Sequence, residues 1–273
     1  SKLKIQNNYV LRSFVGSSEQ EEIQNFTILK QAVCIQQSHV MSVRLWSYFR
    51  SSCSFRVRVA LNLKGIKHDI VAMNLVKGTH KEADYLKHNP QGLVPLLEID
   101  GQKLTQSGAI LEYLEEKYPN EAPLLPSDIV DRARTRAAFA VIACDTQPVS
   151  NLGVMQKVNH IKAGEGKILA KETVEKGIAA FEKLMSDSGP FLMGNALTMA
   201  DIAVVAQLHN ARRFGVDLSP FPKVMRAEAA CYEKPEFLLA HPYYQPDCPE
   251  ELQKKSWDWV ENSFKDPRSG PTK

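Results

Sequence analysis

Apolar and polar positions change rhythm partway along the chain. Up to about residue 118 the apolar residues come in short runs, and beyond Ile129 they recur at helical spacing. "VRLWSY" (43–48) and "HDIVAMN" (68–74) suit buried strands, and "NPQGLVPLLEIDGQKL" predicts two more, 95–99 and 102–105, joined by a tight turn at Asp100-Gly101. Between 53 and 64 two periods compete. Phe55, Val57, Val59, Leu61 and Leu63 alternate as in a strand, while Cys53, Val57, Ala60 and Leu61 share one face of a helix. The flanks favour the helix, because hydroxyls upstream can accept free helix N–H bonds and Gly65 suits a stop. Strand, helix and strand then form a βαβ unit with its two strands parallel. A short helix is expected over 79–88. Another is expected over 107–118, with Ser107 as its N-cap and Ile110, Leu111 and Leu114 as its buried stripe.

Residues 119–128, "PNEAPLLPSD", hold three prolines and read as a linker. Past them strand signals stop. "RARTRAAFAVIACD", "AKETVEKGIAAFEKLMSD" and "TMADIAVVAQLHNARR" are helical, and Thr198 and Asp201 have the spacing of a structural capping box. The expected fold is an α/β thioredoxin-like domain with a mixed four-stranded sheet (41–124), followed by an all-α domain (125–251). Residues 1–40 are expected to be a disordered extension ahead of Met41. Residues 252–273 form a tail whose Trp257/Trp259 patch has no evident role.

Composition narrows the partners. With 273 residues and 44% hydrophobic content the chain can bury a sizeable core. Its 34 basic and 31 acidic residues are interspersed, leaving +3, which speaks against nucleic acid as a partner. No apolar run approaches the roughly 20 residues of a membrane span. Five widely spaced cysteines with no Cys-x-x-Cys read as reduced cytoplasmic thiols, and no metal site is expected.

"SSCS" (51–54) followed by "RVR" and "ALNLKGI" resembles the opening of the zeta class of glutathione transferases, with Phe55 where that class usually has tryptophan. "QPVSNL" (147–152), "TMADI" (198–202), "RFGVDLSPFP" (213–222) and "HPYYQPDCPEEL" (241–252) resemble further segments of the class, so the likeness runs from about Val43 to Glu251. It implies a homodimer that uses glutathione to convert maleylacetoacetate into fumarylacetoacetate in tyrosine and phenylalanine breakdown, with transferase activity on small α-haloacids.

The chemistry explains the serines. A thiol of pKa about 8.5 is mostly protonated at neutral pH, and a helix N-terminus with free N–H groups and hydroxyl donors favours its thiolate. By resemblance Ser51 and Ser52 activate the thiol, Ser51 directly, while Cys53, Ser54, Phe55 and Arg56 line the same turn. Val94 and Pro95, across a cis bond, pair with the cysteinyl group, and Gln106 and Ser107 hold the γ-glutamyl carboxylate. His80 falls near the glycyl end. Gln147, Asn151, Leu152 and Gly153 match positions that reach glutathione or the partner subunit, and Arg213 matches the arginine that meets a substrate carboxylate. Two alternatives stay open: a conjugating or thiol-transferring enzyme with Cys53 as nucleophile, and a non-catalytic module of the same fold.

Overall fold

A computed structural model describes residues 42–253, so the expectations for residues 1–40 and for the Trp257/Trp259 patch lie outside the described residues. Strand β1 (Arg44–Ser47) leads through a short loop into helix α1 (Ser52–Leu63), and β2 (Asp69–Ala72) returns parallel to β1, with Leu45 opposite Ile70. The competing strand period at 53–64 loses. Helix α1 is buried nearly all round, Arg56 and Arg58 included, because it lies under the sheet domain and also packs on helices of the second half.

The expected helix at 79–88 is a 3₁₀ turn (Thr79–Lys81) and one turn of α-helix, α2 (Ala83–Leu86). Strands β3 (Leu96–Ile99) and β4 (Gln102–Thr105) pair antiparallel, giving the order β2-β1-β3-β4. Strand β3 begins one residue after Pro95, which has no N–H to give a ladder. Asp100 and Gly101 both have positive φ, 51° and 74°, as a tight hairpin turn requires. Helix α3 (Ser107–Lys117) buries Ile110, Leu111 and Leu114 as expected. Ser107 is not its N-cap, however. It is the first helical residue, Gln106 caps at φ 67°, and the Ser107 hydroxyl is engaged by Arg56 instead.

The proline-rich segment is pinned rather than loose. Glu115 of α3 accepts from the backbone N–H groups of Leu124 (2.9 Å) and Leu125 (3.1 Å). The same carboxylate pairs at 3.0 Å with the buried Lys64 ammonium, which also donates to the carbonyls of Tyr118 and Glu121. The second half is helical throughout: α4 (Ile129–Ala140), α5 (Leu152–Ile161), α6 (Glu165–Leu184), α7 (Met199–Phe214), α8 (Pro222–Tyr232) and α9 (Pro235–Ala240). Helix α4 widens into a π-helical stretch, Val141–Thr146, and the chain leaves the helix at Gln147-Pro148.

Helix α7 is the central post of this half and packs on α1, α4, α6 and α8. Its start is set by Asp201, whose carboxylate accepts from the Thr198 N–H (2.9 Å), the Thr198 hydroxyl (2.7 Å) and the Leu192 N–H (2.8 Å). One hydrophobic cluster runs from Leu45 and Phe55 through Ile142 and Val204 to Phe237, so both halves share a core. The fully buried Arg58 fastens them. Its Nε donates to the Ala240 carbonyl (2.9 Å), Nη1 to Ser47 Oγ (2.8 Å) and Nη2 to the Phe49 carbonyl (3.2 Å).

Candidate active site

The loop between β1 and α1 ends in a helix start with unused donors. Ser51 is the N-cap, and its Oγ accepts from the Ser54 N–H at 3.1 Å. Having accepted that bond, the hydroxyl keeps its proton to donate outward. The Phe55 N–H bonds to the Ser51 carbonyl, while the N–H groups of Ser52 and Cys53 meet no acceptor among the described residues. No acidic side chain sits in the first turn to compete for this positive end. An anion fits here.

The neighbouring residues sort into those that can reach such an anion and those that cannot. Ser51 and Cys53 are part-exposed. Ser52 keeps 4% of its surface, and its buried Oγ has no partner. Ser54 is fully buried. Phe55, at 1% exposure, serves the core and stacks edge-on to His241 at 6.2 Å, so its side chain is not a ligand contact. Arg56 is buried as well, but its Nη1 reaches Ser107 Oγ at 3.2 Å.

A second set of polar groups comes from the loop that leads into β3 and from the start of α3. The Val94–Pro95 bond is cis, as the resemblance implied. The loop ahead of it is held by Asn89 Nδ2 and Tyr85 Oη, both donating to the Leu93 carbonyl. Neither backbone group of Val94 bonds within the described residues, so both are available to an extended peptide. At the start of α3, Gln106 sits at positive φ with its side-chain amide donating to Gln91 Oε1 (2.6 Å). Strain of this kind in a non-glycine residue is typical of ligand sites. His80 is buried, with Nδ1 unpartnered and its pKa lowered by burial; its carbonyl would meet a Cβ on Gly92 at 3.0 Å, so the 3₁₀ turn backs this loop. These features suit a γ-glutamyl peptide: a carboxylate at the α3 start, a backbone partner in mid-chain and a sulfur at the α1 start.

Gln147, Asn151, Leu152 and Gly153 make no hydrogen bond to this turn among the described residues. Asn151 is the N-cap of α5, accepting from the Val154 N–H (2.9 Å) and donating to the Pro148 carbonyl (2.7 Å). Arg213, at the end of α7, donates to Asn210 Oδ1 (2.8 Å). Its pKa is lowered by burial and then by Arg50, so two guanidinium groups lie close enough to oppose one another. Beside them the Tyr48 hydroxyl, with its pKa raised by burial, stays a neutral donor. Arg50 and Tyr48 were missed in the sequence although they stand in the same short stretch as the serines, because nothing local reveals that this stretch meets the end of α7. Below the pair, burial holds His209 well below its ordinary pKa and His241 at about 3, and both rings pack on Tyr243. Both imidazoles are uncharged at neutral pH, so the positive charge beside them is that of Arg50 and Arg213.

Comparison with known proteins gives the family. Residues 41–116 match the family described as glutathione S-transferase, N-terminal domain, and 131–238 match its C-terminal domain. The chain is 44% identical over 214 residues to a protein named probable maleylacetoacetate isomerase 2 of Drosophila melanogaster, covering 77% of this chain and 92% of that one. It is 43% identical over 213 residues to maleylacetoacetate isomerase of Rattus norvegicus, covering 77% and 96%. Among solved structures, maleylacetoacetate isomerase from Anaeromyxobacter dehalogenans with glutathione in its active site aligns with a TM-score of 0.70 at 41% identity, covering 76% of this chain and 98% of that one. A holo maleylpyruvate isomerase, described as a bacterial zeta-class glutathione transferase, aligns at 0.73 and 38%, covering 76% and 100%. The chain belongs to the glutathione S-transferase family and, within it, to the zeta class.

Proposed function

We propose that the chain is a glutathione-dependent cis–trans isomerase that converts maleylacetoacetate to fumarylacetoacetate. The observation that carries this reading is the α1 start, where the Ser51 hydroxyl and the free N–H groups of Ser52 and Cys53 converge ahead of a helix dipole. When bound, glutathione supplies a thiolate nucleophile that adds reversibly to the conjugated double bond, which can then rotate before it reforms. Ser51 donates to the sulfur and holds it ionised without bringing a competing charge. Ser107 and the α3 start take the γ-glutamyl carboxylate, and the Val94 backbone aligns the cysteinyl residue. Arg213 and Arg50 receive substrate carboxylates and stabilise the negative charge that develops on the conjugated carbonyl.

The same constellation suits displacement of chloride from small α-haloacids. On this reading the first domain spans 41–124 and the second 125–251, and the native enzyme is a homodimer, as is typical of the family. A cytoplasmic setting goes with the free thiols Cys53, Cys144, Cys231 and Cys248; a disulfide between any two of them in the native protein would argue against it. The test is turnover of maleylacetone, a substrate analogue, with and without glutathione. Ser51→Ala should lower the rate at least about 100-fold, the scale of losing one donor to a developing anion. Cys53→Ala should keep most activity. The reverse pattern, with Cys53 essential and Ser51 dispensable, would transfer the chemistry to a thiol-exchange enzyme.

A further inference from the structure

Two arginines of α1 are equally buried, at 1% exposure each, yet they are bonded very differently. Arg58 engages all three of its nitrogens with the Ala240 and Phe49 carbonyls and Ser47 Oγ. Arg56 engages one. Its Nη1 donates to Ser107 Oγ (3.2 Å) and lies 3.9 Å from Cys53 Sγ, while Nε and Nη2 have no partner and the guanidinium stands 5.6 Å from the centroid of the Phe139 ring. No carboxylate among the described residues answers this charge. An unpaired charge in the interior costs several kcal/mol, so a partner is expected nearby.

Ser107 points to where that partner lies. The hydroxyl accepts from Arg56, keeps its own proton to donate, and belongs to the first residue of α3. The N–H groups of Ser107, Gly108 and Ala109 meet no acceptor among the described residues. Gly108 lets Phe139 close over the arginine, since a Cβ there would meet the ring at 3.1 Å. Charge, hydroxyl and helix start are thus in series.

We propose that Arg56 is a positioning residue, acting through Ser107, whose buried charge is answered by the carboxylate of a γ-glutamyl group and makes the site select γ-glutamyl thiols over thiols that lack one. This rests on the glutathione reading above. It gives a site-directed role to a side chain that never touches the ligand, and it separates Arg56 from its neighbour Arg58, whose bonds go to Ser47, Phe49 and Ala240 and not to the α3 start.

The experiment is calorimetric titration of the full chain with S-methylglutathione and with S-methylcysteinylglycine, which lacks the γ-glutamyl unit. Wild type should prefer the first. Arg56→Met should lose about tenfold on the first and nothing on the second, and Arg56→Lys should recover part of the difference. Arg56→Gln, also neutral, serves if Arg56→Met does not fold. Arg58→Met should lower the melting temperature and leave the ratio of the two affinities unchanged. A ratio unchanged in both neutral Arg56 variants, or an equal loss on the two ligands, overturns the proposal while leaving glutathione binding intact. Wild type binding neither ligand would instead remove the glutathione reading, and this inference with it.

Discussion

Asp201 carries two different loads at the start of α7. Its carboxylate gathers three donors from Thr198 and Leu192, and those bonds favour ionisation. Burial works the other way and prevails, raising its pKa from 3.8 to about 6. Between those two values the folded protein holds a proton that the unfolded chain has released. The stability contributed is therefore full below about pH 4 and is lost as the pH rises through about 6, a change of about 3 kcal/mol. Asp201→Asn cannot titrate and lacks this slope. Urea unfolding midpoints measured from pH 4 to 7 should show the variant less stable throughout, with the gap to wild type narrowing toward neutrality; parallel curves would refute the raised value. The capping pair itself was legible in "TMADI", because its donors and acceptors are three residues apart. Arg50 was not legible, because its neighbour Arg213 comes from the far end of the chain.

Among the elements, the π-helical stretch Val141–Thr146 is the one that periodicity did not foretell. "RARTRAAFAVIACD" reads as an uninterrupted helix, and only the packing shows why it widens. Thr146 turns its hydroxyl back to the Val141 carbonyl (2.6 Å), and α6 crosses the stretch at Gly177, where a Cβ would stand 2.0 Å from Thr146 Oγ1. Replacing glycine by alanine inside an exposed helix normally stabilises by about 1 kcal/mol. Here the sign inverts. Gly177→Ala should destabilise by about 2 kcal/mol through overpacking, and adding Thr146→Gly should restore most of it, as thermal denaturation of the single and double variants would reveal. The competing strand and helix periods at 53–64 were resolved by the flanks, whereas the burial of both arginines could not be foreseen. Polar residues on every face read as exposure until a second layer is known to cover them.

At the scale of the whole molecule, the sequence divides into an α/β half and a helical half, but the structure gives them one continuous core. Leu45, Phe55 and Leu97 belong to the same cluster as Ala170, Val204 and Phe237, and Arg58 adds a buried polar tie to the Ala240 carbonyl. The two halves should melt in a single transition, with calorimetric and van't Hoff enthalpies equal if each enzyme unit unfolds at once. For a homodimer the midpoint should rise with protein concentration. Two resolved transitions would separate the halves, and a midpoint independent of concentration would speak for a monomer. Order along the chain allowed the sequence to reveal the architecture, yet the shared core was hidden because each of its helices looks amphipathic in isolation.

The bond from the Phe49 N–H to Asp247 Oδ2, at 2.9 Å, has a further consequence in time. Residues 47–51 leave the ribosome well ahead of the groups that fix them, since the Ala240 carbonyl lies 182 residues beyond Arg58 and the Asp247 carboxylate 198 residues beyond Phe49. The nascent chain therefore carries this loop unfixed until residues 240–247 have been made, and the α1 start is complete only when that segment docks.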